Sequence, residues 1–160
     1  MSSVTAQRQF RIIYDRNVDT VYRVCYSFMK NAADAEDMAQ ETFLRLLSTE
    51  KVFENERHER AWLIVTASNL CKDSLKKWWR RTEDIDDPSL NLKQPPFEID
   101  GVLDAIMKLP ADQKCAVYMH YYEGYTTAEI AAHLHCPHAT VRSRLSRARK
   151  TLKHKLGGDF

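Results

Sequence analysis

Apolar positions along this chain recur three and four residues apart, the period of a helix, and no stretch sustains the alternation of a strand. In "NAADAEDMAQETFLRLL", Ala35, Met38, Ala39, Thr42, Phe43 and Leu46 share one side at helical spacing and predict a buried face. Asp37, Gln40, Glu41 and Leu44 share another side, with an apolar leucine among polar residues. That side reads either as a solvated face or as a docking surface for a basic partner. "ERAWLIVTASNLCKDSLKKWWRR" is helical at both ends, but Ser68 and Asn69 are poor helix formers in its middle. Near the end of the chain, Val141, Leu145, Ala148, Leu152 and Leu156 fall within an arc of roughly 80°. The predicted fold class is all-α.

Punctuation divides the chain into two small helical domains. Residues 1–81 contain neither proline nor glycine, whereas "RTEDIDDPSLNLKQPPFEIDG" holds three of the five prolines and one of the four glycines. Polar, proline-broken and acidic, this stretch has the chemistry of a linker. The expected organisation is a helical bundle over 1–81, a flexible acidic linker over 82–101 and a second helical domain over 102–160. In the second domain one helix should end at Leu109–Pro110 and the next should run from Asp112 to about Tyr122. A turn follows at Glu123–Gly124, then a short helix beginning at Thr126 with Thr127 as a good N-cap. Pro137 cannot continue that helix but suits the first turn of a new one, so "HCPH" makes a tight turn. A short helix, a tight turn and a longer basic helix form the helix-turn-helix pattern.

The net charge of +2 conceals a strong segregation. From Asp34 to Glu59 there are eight acids and three bases, and from Glu83 to Asp104 seven acids and one base. From Arg60 to Arg81 there are six bases and one acid, and from Pro137 to Leu156 seven bases and no acid. Two separated basic segments point to two contacts with a polyanion. The acidic blocks point to a different partner, or to one basic patch being shielded.

On the last helix Ser143 points away from the apolar stripe, with Arg142, Ser146, Arg147 and Lys150 spread around it. Arginine can grip guanine O6 and N7 together, and serine can bond to any base edge, so this face suits a major groove. Arg144 and Arg149 flank the stripe and suit snorkelling or phosphate contact. In the first domain Asn69, Lys72, Lys76, Trp79 and Arg80 fit one side of a helix. Basic residues interleaved with aromatics suit single-stranded or distorted nucleic acid, where bases stack on rings and phosphates meet lysine and arginine. Trp62 reads as a core residue, and Trp78 and Trp79 as core or contact alike. "HLHCPH" gathers His133, His135, Cys136 and His138, but zinc sites take paired ligands from two separated strings and no second string exists, so these read as turn and surface residues. No metal or other cofactor is expected. Cys25, Cys71, Cys115 and Cys136 are scattered and read as reduced thiols. There is no membrane-spanning apolar run and no secretion signal, so membrane insertion is not expected and the cytoplasm is the expected compartment. No nucleophile–base pair or phosphate-cradling glycine loop appears, so an enzyme is not expected.

Taken together, these strings resemble the bacterial sigma factors of the extracytoplasmic-function (ECF) group, the smallest members of the sigma-seventy family. The resemblance runs from about Phe10 to Leu156. "DAEDMAQETFLRLL" resembles region 2.2, "ERAWLIVTASNLCKDSLKK" regions 2.3 and 2.4, and "LPADQKCAVYMHYYEGYTTAEIAAHLHCPHATVRSRLSRARKTL" region 4. Three such strings in this order, with an acidic linker between, form a specific combination. The resemblance implies that Asp37, Gln40, Glu41 and Leu44 dock on the β′ clamp helices of core RNA polymerase, with the β flap a second contact. It implies that the −10 element is melted and one base captured outside the stack by a loop matching Ala67–Asp73. Phe53, Asn69 and Lys72 match pocket positions there, with Lys76, Trp79 and Arg80 continuing the surface. It implies that Thr140, Arg142, Ser143, Ser146, Arg147 and Lys150 contact the −35 element as duplex promoter DNA.

The chain departs from the family where Leu134–His135 stand in place of the frequent Leu-Gly before the turn, and where Trp78–Trp79 stand in place of arginines. No further domain is expected after Leu156, so regulation is expected from a separate protein such as an anti-sigma factor. Two other classes stay open: a stand-alone helix-turn-helix regulator, and an adaptor that binds polymerase without directing initiation. The acidic face and the second basic segment argue against the first.

Overall fold

The computed structural model describes residues 3–81, 95 and 97–156, without the side chains of Ser3, Thr5, residues 79–81 and residues 154–156. Seven helices follow one another among the described residues: α1 (Ser3–Met29), α2 (Ala32–Ser48), α3 (Glu56–Arg81), α4 (Gly101–Met107), α5 (Ala111–Tyr121), α6 (Thr127–Leu134) and α7 (His138–Leu156). No strand occurs among them, which agrees with the all-α reading.

The first three helices make the N-terminal bundle. Lys30 closes α1 in the left-handed region (φ 63°), its N–H donating to the Tyr26 carbonyl at 2.9 Å. Asn31 then caps α2, accepting the Asp34 N–H at 2.8 Å. That two-residue turn folds α2 back on α1 and buries the face predicted for it: Ala35, Ala39, Thr42, Phe43 and Leu46 are buried and Met38 half-buried. Val21, Val24, Cys25 and Phe28 of α1 meet Ala61, Ile64, Ala67 and Cys71 of α3 in the same core.

One expectation fails here. Ala67–Asp73, matched to a base-capturing loop, lies inside the uninterrupted α3. Ser68 does not break the helix because its hydroxyl donates to the Ile64 carbonyl at 2.8 Å, in a site where the side chain is buried. Burial of Ala67, Ser68 and Cys71 in the core outweighs the weak local propensity. The irregular segment is residues 49–55, between α2 and α3.

The last four helices make the C-terminal unit. Asp100 caps α4, accepting the Leu103 N–H at 2.7 Å, and the same carboxylate accepts the Tyr122 hydroxyl at 2.7 Å. Thr126, rather than the expected Thr127, caps α6; it accepts the Glu129 N–H while the Glu129 side chain accepts the Thr126 N–H, a reciprocal capping box. The residue after α6, His135, takes the left-handed conformation (φ 53°), with His135 N–H donating to Ala132 and Cys136 N–H to Ala131. This is the closing turn that glycine fills at least strain, and a histidine holds it at a cost of about 1 kcal/mol. Val141, Leu145, Ala148 and Leu152 of α7 are buried as their spacing predicts.

The two units pack against each other and share one apolar cluster. Residues 82–94 and 96 of the expected linker lie outside the described residues. Phe97, at its far end, sets its ring edge-on to Tyr22 and Tyr26 and lies under the Arg23 guanidinium at 5.1 Å. Lys114 of α5 donates its ammonium to the Ser27 carbonyl at 2.7 Å, in the last turn of α1, where the helix presents unpaired carbonyls and partial negative charge. Burial holds that lysine down to about 8, with Lys30 adding to the effect.

Glu59, in the first turns of α3, is 5% exposed and joins α3 to α1. It accepts from Arg16 Nη2 at 2.9 Å and from Asn17 Nδ2 at 2.8 Å. Glu59→Ala would leave Arg16 with only the exposed Glu56 and Asn17 Nδ2 with only the Ile13 carbonyl, and should lower the unfolding free energy by about 2 kcal/mol. Urea denaturation followed by circular dichroism measures it; a loss below ~0.5 kcal/mol would remove Glu59 from this role.

Candidate nucleic-acid interface

Three surfaces carry the residues singled out by sequence. The first is the outer face of α2. Asp37, Gln40, Glu41 and Leu44 stand at i, i+3, i+4 and i+7, and all are exposed, Leu44 by 55%. The buried face of the same helix holds them outward, so an apolar side chain is displayed one turn beyond Glu41 and open to solvent.

The second surface is a cleft of about 610 Å³ along α3. One wall comprises Lys51 and Asn55 of the α2–α3 connection with Arg57, His58, Trp62, Val65, Thr66 and Asn69 of α3. The other comprises Glu129, Ala132 and His133 of α6 with His135 beyond it. Asn69 is exposed at this cleft, as expected, and Lys72 and Lys76 continue along α3 one and two turns further. Phe53 faces a neighbouring apolar groove with Phe10, Ile13 and Leu46, yet its ring lies 5.7 Å from Trp62 and 5.5 Å from His58. The structure thus brings Phe53 and Asn69 to adjoining sides of Trp62 rather than into one pocket. The side chains of Trp79 and Arg80 lie outside the described residues. Trp62, read from its apolar neighbours as core, is half-buried and lines the cleft; Lys51 and His58 line it too. The signal that could have found them is the aromatic–basic interleaving that drew attention to residues further along α3.

The third surface is α7. Arg142, Ser143, Ser146, Arg147 and Lys150 are exposed on the side opposite the buried stripe, and Thr140 is half-buried at its start. Arg149 donates its Nε to the Tyr121 hydroxyl at 3.2 Å, so it braces α7 on α5. Burial pushes the Cys115 thiol up, against the opposing pull of the Ser68 hydroxyl and of the Lys72 and Arg144 charges. Of the histidine–cysteine string, His138 pairs with the Thr127 hydroxyl and His133 faces Tyr125, so the side chains diverge from one another. Among the described residues no three His, Cys, Asp or Glu side chains are grouped to hold a metal ion, and no helix is long and apolar enough to cross a membrane. The four cysteines are free thiols.

Comparison with known proteins decides the lineage. Residues 13–81 match Sigma-70 region 2 and residues 99–152 match Sigma-70, region 4. The ECF RNA polymerase sigma factor SigL of Mycobacterium tuberculosis is 32% identical over 152 residues, covering 89% of this chain and 86% of that protein. This chain belongs to the ECF sigma factors of the sigma-70 family. The ECF RNA polymerase sigma factor SigW of Bacillus subtilis is 30% identical to this sigma factor, covering 94% of the chain and 90% of the relative. In fold, it is similar to the sigma factor RpoE of Bartonella quintana, solved in complex with the anti-sigma factor NepR, with a TM-score of 0.73 and 22% identity over 96% of this chain and 99% of that one.

The seam of the sigma factor contains one titratable ring whose environment opposes protonation. His133 of α6 faces His58 of α3 at 5.7 Å and the Tyr125 ring at 6.2 Å. Burial lowers its pKa below the ordinary histidine value, and His58, Lys51 and His135 add to the lowering against the opposing pull of Glu129. A base whose folded pKa is depressed contributes stability above its unfolded pKa that is lost as pH falls through the folded one. Acidification below the ordinary histidine value of 6.5 should therefore loosen the packing of α6 on α3. Thermal midpoints at neutral and mildly acidic pH check this: His133→Gln should show a smaller acid-induced drop than the unaltered chain, and an equal drop would exclude His133 as the origin.

Proposed function

We propose that this sigma factor divides promoter-directed initiation among its three surfaces. The α2 face docks on the β′ clamp helices of core RNA polymerase, its carboxylates meeting basic groups and Leu44 entering an apolar contact. The α3 cleft receives a base from the melted −10 element, with Trp62 as the stacking surface, backed by Phe53 from the neighbouring groove, and Asn69 as a hydrogen-bonding group; Lys72, Lys76 and Arg80 follow the phosphates. The α7 face reads the −35 element in the major groove, while the C-terminal unit rests on the β flap. The factor works where polymerase does, in the cytoplasm, and an anti-sigma factor is the expected regulator. It performs no bond-making chemistry of its own.

The observation that carries this reading is the coexistence, on one chain, of an exposed acidic–apolar helix face with two basic nucleic-acid surfaces. A stand-alone helix-turn-helix regulator has use for α7 alone. Run-off transcription with core polymerase on a promoter library is the test. Specific transcripts that require the chain support the reading; polymerase binding without transcripts would make it an adaptor; DNA binding without polymerase binding would make it a regulator.

Two substitutions separate the surfaces. Glu41→Lys places a positive charge in the α2 face and should weaken core-polymerase binding about tenfold or more in a fluorescence titration, leaving −35 duplex preference unchanged. On α7, Arg147→Ala should cost about 1–3 kcal/mol at the cognate site and relax discrimination at one base pair, whereas Lys150→Ala should weaken all sequences alike and reduce the salt slope by about one. Binding to a −35 library at several salt concentrations checks both, and exchanged behaviours would reverse the assignment of base and phosphate contacts.

A further inference from the structure

The two helices of the helix-turn-helix are tied together at their starts. Thr127 opens α6 and His138 opens α7, and the Thr127 hydroxyl is hydrogen-bonded to His138 Nε2 across eleven positions of chain. Neither helix needs this bond to begin. The Thr126–Glu129 box already closes the start of α6, and α7 starts on the Pro137 carbonyl, which accepts the Thr140 N–H at 3.0 Å. The bond fills no core either, since His138 is exposed and Thr127 half-buried. What it does is hold one exposed ring in one place. A side chain that binds a ligand ordinarily gives up rotamer freedom on binding, and a ring already tethered has little left to give up. The tether also sorts the two ring nitrogens. In a neutral imidazole one nitrogen donates and the other accepts. With the Thr127 hydroxyl donating to Nε2, the proton stands on Nδ1, a donor that takes no hydrogen bond among the described residues.

The place of that donor indicates what it meets. His138 stands four residues before Arg142, one turn nearer the start of α7 on the same flank. At 100° per residue it lies roughly 140° around the helix from Ser143, the middle of the reading face, and so is turned away from base edges beneath that face. A helix-turn-helix sets the N-terminal part of its second helix in the major groove while its first helix crosses the DNA backbone. A side chain held between the starts of both helices stands where groove gives way to backbone, and the acceptor there is a phosphate oxygen. We propose that His138, tethered by Thr127, donates Nδ1–H to a phosphate of the −35 duplex and so fixes the register of α7 in the groove. This rests on the −35 role proposed for α7 and adds a positioning residue to it. No acid between Pro137 and Leu156 opposes an approaching phosphate. Carried by an uncharged ring, the contact displaces no counterion and conveys no sequence information, which separates it from the lysines and from Arg147 of the same helix.

The test is competition binding of the holoenzyme, full chain with core polymerase, to promoter duplexes that share one −10 element and vary at −35, at about pH 8, where an ordinary imidazole is uncharged. His138→Ala should weaken binding about tenfold on every −35 sequence, with the order of preference and the salt slope unchanged. His138→Asn sets an amide nitrogen where Nδ1 stood and should restore affinity to within about twofold, whereas His138→Gln reaches only the Nε2 position and should stay near the alanine value. Thr127→Val, which removes the tether, should cost about threefold alone and nothing further in the His138→Ala chain. Unchanged affinity in His138→Ala, a loss confined to one −35 base, or glutamine restoring affinity better than asparagine would overturn the phosphate contact. Additive losses from Thr127→Val and His138→Ala would overturn the tether. Indifference of the unaltered holoenzyme to the −35 sequence would defeat the α7 reading and this contact with it, while −35 dependence combined with full affinity in His138→Ala would defeat the contact alone.

Discussion

The first two turns of α3 hold the molecule together. Four charged residues there, Glu56, Arg57, Glu59 and Arg60, alternate in sign and point to opposite neighbours. Glu56 and Glu59 take Arg16 of α1, fixing the N-terminal bundle. Arg57 and Arg60 take Glu129 and Glu123 of the C-terminal unit, fixing the seam. Arg60 is common to both sets, since it also donates to the Asn17 side chain and the Arg16 carbonyl. Hydrogen bonds thus run without a break from Glu59 through Asn17 and Arg60 to Glu123 of the C-terminal unit.

Burial sorts these pairs by what each contributes. Glu59 sits where water does not replace a lost donor, so its bonds are structural. Glu129 is partly exposed, and although Arg57 and the Thr126 cap hold its carboxyl down to about 2, water screens the pair. The ion pairs within the N-terminal bundle are consequently held more firmly than the Arg57–Glu129 pair across the seam. Lys114 fits the same gradation: capping the C-terminus of α1 from the other unit satisfies a carbonyl, but burying the ammonium opposes its charge.

Helix periodicity made most of the fold legible. The stripes of α2 and α7 predicted as apolar appear in the structure as their packed faces, because a helix that buries one face must repeat apolar positions at its own period. Punctuation located the turn before α7, since Pro137 is incompatible with the body of a helix. The misplacement of a loop at Ala67–Asp73 has a physical cause. Local propensity at Ser68–Asn69 is worth tenths of a kcal/mol per residue, whereas burying Ala67 and Cys71 in the core is worth more. The shift of the α6 cap from Thr127 to Thr126 is similar, because only Thr126 stands three residues before Glu129.

The sequence alone determined which faces are polar, which are apolar and which carry charge, and through the motifs on those faces the lineage and the residues that α2 and α7 turn outward. Those are properties of single helices, set by a period that local geometry dictates. Which face looks at which was decided only in three dimensions. That Trp62 lines a cleft, that α6 supplies its far wall, and that Arg57 and Glu129 meet across seventy-two positions of chain depend on how two helical units dock. No periodicity encodes a pairing at that separation; it emerges when the apolar surfaces are buried together and the charges around their rim find the partners that packing has placed within reach.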